Sequence, residues 1–262
     1  STLNCPEEVY LAEKLVELHP WAEMVRFARS GGEANSIAIR IARAATGKSK
    51  VAICGYHGWH DWYLAANLGD GENLDGHLLP GLQPTGVPPE LKGTVHTFRY
   101  NNFQELSDLV QNHEIGVIKM EVSRNHQPEN DFLHQVRDLA SKRGIVLIFD
   151  ECTSGFRQTF GGLHKIYGVE PDIAMFGKAL GNGFAITAVV GRREVMEYAQ
   201  DTFISSTFWT ERIGPNAALK TLEVMERTES WKIITEIGTS VSNQWRLLAT
   251  KYGLSVSTFG LP

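Results

Sequence analysis

The run Ile145-Val146-Leu147-Ile148-Phe149-Asp150-Glu151 begins with five apolar residues and ends on two carboxylates. It is the most β-branched apolar run of its kind in the chain, and it reads as a strand buried on both faces. Ahead of it, residues 131–143 read as a helix with Phe132, Leu133, Val136, Leu139 and Ala140 turned inward and Gly144 closing it. Residues 115–122 form another strand-like run before that helix. After it, Pro171-Asp172-Ile173-Ala174-Met175-Phe176 leads into Gly177-Lys178-Ala179-Leu180-Gly181-Asn182-Gly183, and a further apolar run follows over residues 185–190.

The same alternation extends toward the N-terminus. Residues 6–18 read as an amphipathic helix with Pro6 in its first turn and Pro20 stopping it. A short strand at 24–28 runs into Ser30-Gly31-Gly32-Glu33. From Glu33 a helical pattern carries Ala34, Ile37, Ala38, Ile41 and Ala45 on one face, with Gly47 at its end. Residues 51–54 are the next strand, and Asn102 with Glu105 reads as a capped start for a helix bearing Leu106, Leu109 and Val110. Toward the C-terminus come a short helix from Arg192, a strand-like segment at 202–207, and helices over 213–226 and 231–252. Strands alternating with helices imply an α/β fold, a mostly parallel sheet with helices on both faces. Ligands of such sheets sit beyond the carboxyl ends of the strands.

Composition narrows the function classes. The chain has 262 residues and a net charge of -5, which leaves no electrostatic footprint for nucleic acid. No apolar run reaches the length of a membrane span. Cys5, Cys54 and Cys152 are scattered with no CxxC pair, which points to reduced thiols in a cytoplasmic setting. His57 and His60 have a two-ligand spacing, but no further cluster accompanies them, so no metal is expected.

Chemistry gathers at the strand ends. Ser30-Gly31-Gly32 lies between a strand and a helix N-terminus, where open backbone N–H groups and the helix dipole suit a phosphate. Asp150 and Glu151 are desolvated at a strand end and require cationic or N–H partners. A protonated pyridine nitrogen is one partner that fits Asp150. Lys178, held between an apolar strand and a glycine-rich turn, is expected to be buried, which would lower its pKa and free an amine nucleophile. Residues 67–89, rich in Gly, Pro and Asp, form a long segment without periodicity, of the kind used as lids.

Four motifs then occur in order: Ser30-Gly31-Gly32-Glu33-Ala34, Tyr56-His57-Gly58, Phe149-Asp150-Glu151-Cys152-Thr153-Ser154-Gly155-Phe156-Arg157, and Phe176-Gly177-Lys178. Together they resemble the class III aminotransferases, pyridoxal-phosphate enzymes of fold type I, and most of all their glutamate-1-semialdehyde 2,1-aminomutase branch. The resemblance implies pyridoxal 5'-phosphate as cofactor, with Lys178 forming the Schiff base and moving the proton, Asp150 pairing with the ring nitrogen, and Tyr56 stacking on the ring beside His57. It implies that Ser30, Gly31 and Gly32 hold the phosphate, that Cys152 lies against the cofactor face, and that Glu121 and Asn125 stand beside it. It also implies a homodimer in which Thr207 reaches the neighbouring subunit's cofactor, and a mobile gate over residues 67–89.

Ser1 stands just before the first helix, and the strand-like run at 254–259 has nothing to pair against, so the chain reads as a fragment. Residues 1–252 would be the cofactor-binding large domain and 253–262 the start of a truncated small domain. Three features depart from the family pattern: Gly32 replaces a threonine, Val122 a proline, and Ser123-Arg124 small residues. Arg124 would either bind a substrate carboxylate or phosphate, or be a solvated loop residue. The expected activity is amino-group transfer on a small amino or carbonyl substrate, as an aminomutase or as an aminotransferase with another substrate. A non-catalytic protein on the same fold is a third reading; intact Lys178, Asp150 and Tyr56 stand against it.

Overall fold

A computed structural model describes residues 3–77 and 79–262. Its strands are β1 (Met24–Ala28), β2 (Lys50–Cys54), β3 (Val95–Thr97), β4 (Ile115–Met120), β5 (Val146–Glu151), β6 (Ile173–Phe176) and β7 (Thr187–Gly191). The helices are α1 (Pro6–Leu18), α2 (Gly31–Thr46), α3 (Asp61–Leu64), α4 (Phe103–Asn112), α5 (Phe132–Arg143), α6 (His164–Tyr167), α7 (Arg193–Met196), α8 (Ile213–Thr228) and α9 (Ser230–Tyr252). The strands form one sheet in the order β1-β7-β6-β5-β4-β2-β3. The β3–β2–β4–β5–β6 pairs are parallel, and β7 is inserted antiparallel between β6 and β1. The fold is therefore the expected α/β architecture with a mostly parallel sheet.

Strands β4, β5, β6 and β7 are buried on both faces along their whole length, as near-continuous apolar runs require, while the edge strands β1 and β3 are only partly buried. On one face α2 lays Ala34, Ile37 and Ile41 against Val51, Ile53, Val117, Ile148, Ile173 and Val189. On the other, α4 and α5 cover Ala52, Ile118, Leu147 and Phe149 with Leu106, Val110, Leu133 and Val136. Toward β1, helices α1 and α8 pack Leu11, Leu15, Ala218 and Leu222 on Ala174, Phe176, Ala188 and Val190. Each fully buried Leu or Ile in these layers contributes roughly 1.5–3 kcal/mol.

The caps read from the sequence are present. Asn102 accepts from the Glu105 amide at the start of α4, and Gly47 and Gly144 take left-handed conformations after α2 and α5. Two strand-like segments are not strands. Residues 202–207 run as coil because arginines take up their carbonyls: Arg26 donates to Ile204 O at 2.6 Å and Arg40 to Phe203 O at 2.8 Å. Residues 254–259 are also coil, with Arg246 donating to Thr258 Oγ1 and Gly260 N to Asn125 O. Strand β3 is three residues long and pairs parallel with β2 at the sheet edge, too short to stand out as a pattern. Among the described residues, no helix is long and apolar enough to cross a membrane.

Candidate active site

Because β1, β2, β4, β5 and β6 all point the same way, their carboxyl ends meet along one edge of the sheet. That edge receives Ser30 after β1, Tyr56 and His57 after β2, Glu121 after β4, Asp150 near the end of β5 and Lys178 after β6. Residues up to 148 apart in sequence thus share one rim, as doubly wound sheets arrange their ligand sites.

Asp150 is the centre of the charge pattern. Its Oδ2 receives His57 Nδ1 at 2.9 Å and lies 3.8 Å from Lys119 Nζ, while its Oδ1 accepts from Cys152 N at 3.1 Å. Burial alone would raise this carboxyl, but Lys119, His57 and the Cys152 amide outweigh it and hold it well below the usual carboxylate range. Burial takes the His57 imidazole down to about 4, so the ring is neutral and donates from Nδ1. Its Nε2 is buried without a partner, and the ring lies along Trp62 with centroids 6.5 Å apart.

Glu151 turns to the opposite side of the strand. It accepts from Ser154 Oγ at 2.8 Å, Leu163 N at 2.7 Å and His164 N at 3.0 Å, and pairs with His164 Nδ1 at 2.7 Å. Burial raises this carboxyl, but His164 and those amides bring it below its ordinary value. The two carboxylates at the end of β5 therefore both find the partners that burial demands, on opposite sides.

Lys178 departs from expectation. It is exposed, so burial among the described residues does not strip its amine of water. Its Nζ donates to Thr153 Oγ1 at 2.7 Å, which ties it to the turn that leaves β5. The backbone is left-handed at φ 41°, a conformation that costs a side-chain-bearing residue of order 1–3 kcal/mol and recurs at functional sites. Lys178 opens onto a groove of about 1210 Å³ shared with Phe156, Asn182 and Asn216.

The glycine motifs dock on each other. Ser30 caps α2 by accepting from Glu33 N, leaving Gly31 and Gly32 at its first turn. Gly58, at φ 95°, comes so close that a Cβ on it would lie 3.2 Å from Gly32 Cα. Gly55, at φ 113°, leaves room for Glu121, whose Oε2 would lie 2.5 Å from a Cβ there. Glu121 is buried, accepts from Tyr56 N at 3.1 Å and pairs with Arg124 at 3.1 Å; burial pushes its carboxyl up. The Arg124 guanidinium sits 5.8 Å from the Tyr56 ring centroid. So Arg124 is a site neighbour, not a purely solvated loop residue.

The remaining expected residues fall as follows. Cys152 lies near the Gly177 backbone, its thiol raised by burial and by the Asp150 carboxylate. Asn125 is exposed and lines a cavity of about 350 Å³ with Glu121, Arg124 and His77. Thr207 is exposed on the arginine-held coil. His60 turns away from His57 and pairs with Ser36 Oγ at 2.5 Å, so the two histidines do not converge. In the 67–89 segment Leu78 lies outside the described residues. Buried Asn67 organises the rest by donating to Leu82 O and accepting from Leu74 N, while His77 Nδ1 accepts from Gly55 N beside Tyr56.

Sequence reasoning missed Lys119, Thr153, His77 and His164. Lys119 had a signal: it is the single charge inside the apolar run 115–120. The others become visible only through their contacts.

Comparison with known proteins agrees with this geometry. Residues 2–258 match the model of the family described as aminotransferase class-III. A 3-aminobutyryl-CoA aminotransferase of Cloacimonas acidaminovorans is 36% identical, over 96% of this chain and 59% of that protein. The expected aminomutase branch is also among the relatives: the glutamate-1-semialdehyde 2,1-aminomutase of Methanocaldococcus jannaschii is 33% identical, over 100% of this chain and 63% of its own length. The chain thus spans about 60% of the length of these curated relatives. The crystal structure of an omega-transaminase from Sphaerobacter thermophilus superposes with a TM-score of 0.85 at 26% identity, over 100% of this chain and 64% of that one. The family match supports pyridoxal phosphate as cofactor, and the residues present fit it. Asp150 is an ionised buried carboxylate for a ring nitrogen, Lys178 an amine on the same rim, and α2 presents a glycine N-terminus for a phosphate. The chain belongs to the class III aminotransferase family.

Proposed function

We propose that this chain forms the cofactor-binding part of a pyridoxal-phosphate enzyme that moves an amino group, with residues 1–252 as its large domain and 253–262 as the start of a second one. The observation that carries the reading is the shared rim of β5 and β6. Their parallel pairing brings the Asp150 carboxylate and, through Thr153, the Lys178 amine to one edge. The cofactor, when bound, supplies an electron sink for a substrate carbon that loses its proton. Lys178 would be the amine that holds the cofactor and that carries the proton once a substrate amine has taken its place. Asp150, oriented by His57, would keep the ring nitrogen protonated. Tyr56 would hold the ring, Ser30, Gly31 and Gly32 would bind the phosphate, and Glu121, Asn125 and Cys152 would border the cofactor. In a homodimer Thr207 would reach the partner's phosphate, and residues 67–89 would close the site through His77. A cytoplasmic setting, suggested by three free cysteines, belongs to the same proposal.

Of the finer activities, the aminomutase reading rests on the motifs and on relatives of that name. The aminotransferase reading is favoured by Arg124, which departs from the family pattern and stands within reach of Tyr56, and by the 36% identity to an aminotransferase. The full-length protein mixed with pyridoxal phosphate should develop a visible absorption band that borohydride fixes and Lys178→Ala abolishes. Absence of that band removes the enzyme reading. Glutamate 1-semialdehyde supplied alone then separates the two activities. Formation of 5-aminolevulinate without an amino donor supports the mutase, and its absence alongside turnover with a separate donor supports the transferase.

A further inference from the structure

Lys119 is fully buried at the next-to-last position of β4, on the face of the sheet that α2 covers. Strand alternation puts Val117, Lys119 and Glu121 on that face, level with or diagonal to Ile148 and Asp150 of β5. The Lys119 ammonium has poor company for a buried cation, and burial pulls its pKa below the ordinary value against the opposing pull of the Asp150 carboxylate. Its contacts are the thioether of Met175 at 3.0 Å and the Asp150 carboxylate at 3.8 Å, beyond hydrogen-bond distance. A lysine carries three donors, and a buried charge persists only where a counter-charge offsets its lost hydration. The titratable groups facing it are Asp150 on β5, Cys152 just after β5, Glu121 just after β4, and His57 after β2. Glu121 is already engaged by Arg124, His57 is neutral and the Cys152 thiol is raised, so Asp150 is the counter-ion left to Lys119.

Asp150 is also the group assigned above to the cofactor's ring nitrogen, and the inference rests on that reading. One carboxylate then serves two cations. We propose that Lys119 is a positioning residue that keeps Asp150 ionised and, by sharing its carboxylate with the cofactor's ring nitrogen, weakens that nitrogen's hold on its proton. Before the cofactor arrives, Lys119 supplies the positive charge that lets a buried carboxylate remain an anion. Once the ring nitrogen lies against Asp150, the lysine would compete for the same negative charge, so the carboxylate would stabilise the ring N–H less than an unshared one. His57 cannot do this, since its neutral ring brings no net charge.

The test uses the full-length protein loaded with pyridoxal phosphate labelled with ¹⁵N in the ring, whose chemical shift reports whether the nitrogen carries a proton. Lys119→Met keeps the length and apolarity of the side chain and removes the charge. Its ring nitrogen should hold the proton to higher pH than in the unaltered protein, by about two pH units, the order expected of one charge about 6 Å away at an effective dielectric near 20. Lys119→Arg keeps the charge and should retain the original profile. Identical ring-nitrogen shifts across the pH range in the unaltered protein and Lys119→Met would overturn the proposal. If Lys119→Met does not fold, ¹⁵Nζ spectra of the unaltered protein decide it: cofactor binding must move one solvent-protected lysine signal, and an unmoved signal overturns the idea. Failure of the unaltered protein to give a visible band with the cofactor would instead remove the cofactor reading itself, and this inference with it.

Discussion

Asp150 illustrates how single residues at the rim depend on their neighbours' protonation. Its partner His57 stays neutral because burial takes the imidazole to about 4, and burial does the same to His19. The tautomer of His19 follows from its bonds: Nδ1 donates to Leu15 O at 2.8 Å, and Nε2 accepts from Gly162 N at 3.0 Å. In the unfolded chain both rings bind protons below about pH 6.5, whereas in the fold they resist until about pH 4. Depressed histidines therefore contribute stability that is complete above pH 6.5 and is lost as the pH falls toward 4, with a steepness approaching two protons. Urea denaturation at pH 7.5 and pH 5 should show the loss, and His19→Asn should flatten part of it. A stability that is level across this window would contradict the neutral buried state of these rings.

Lys178 marks the limit of residue-level inference. Its flanking apolar runs are both strands, as expected, yet its own side chain is exposed and takes Thr153 as partner. An apolar neighbourhood in sequence does not bury a residue that stands beyond the strand end, where the sheet no longer covers it.

At the scale of elements, capping and close approach can be tested directly. Asn102 closes the first turn of α4 by accepting from the Glu105 amide through Oδ1, and its Nδ2 donates to the Glu105 carboxylate at 3.1 Å. Asn102→Ala should cost about 1 kcal/mol in chemical denaturation, the usual worth of such a cap. Gly58 has a different importance. Its left-handed backbone lies on Gly32, so Gly58→Ala forces apart the two turns that carry Tyr56 and the α2 N-terminus. Strain alone should cost of order 1–3 kcal/mol. Cofactor affinity, read from the absorbance titration, should fall more than the Asn102→Ala variant makes it fall. Equal affinities for the two would show that the docking of the turns does not matter to the site.

At the scale of the whole molecule, the coil after α7 is held by arginine donors and leaves Thr207 exposed. A homodimer with shared sites predicts a two-subunit mass in sedimentation. It also predicts that Thr207→Ala weakens cofactor binding several-fold while leaving urea stability unchanged. A monomer that binds cofactor equally well with and without Thr207 would contradict the shared site.

Unbroken β-branched runs, glycine and proline punctuation and capping residues made most helices and strands legible, because local propensity and burial pattern agree in them. Ordered motifs likewise made Ser30, Tyr56, Asp150 and Lys178 recognisable along the chain. The partners of those residues could not be read this way. Parallel strands join residues distant in sequence, so Lys119 meets Asp150, Thr153 meets Lys178 and Gly58 meets Gly32 only when the sheet is assembled. The coil at 202–207 is decided in the same manner, since arginines from β1 and α2 take carbonyls that a strand would have paired. The sequence sets which chemical groups exist and how each segment prefers to run; burial, charge sharing and exposure arise from contacts across the fold, and those set what each group can do.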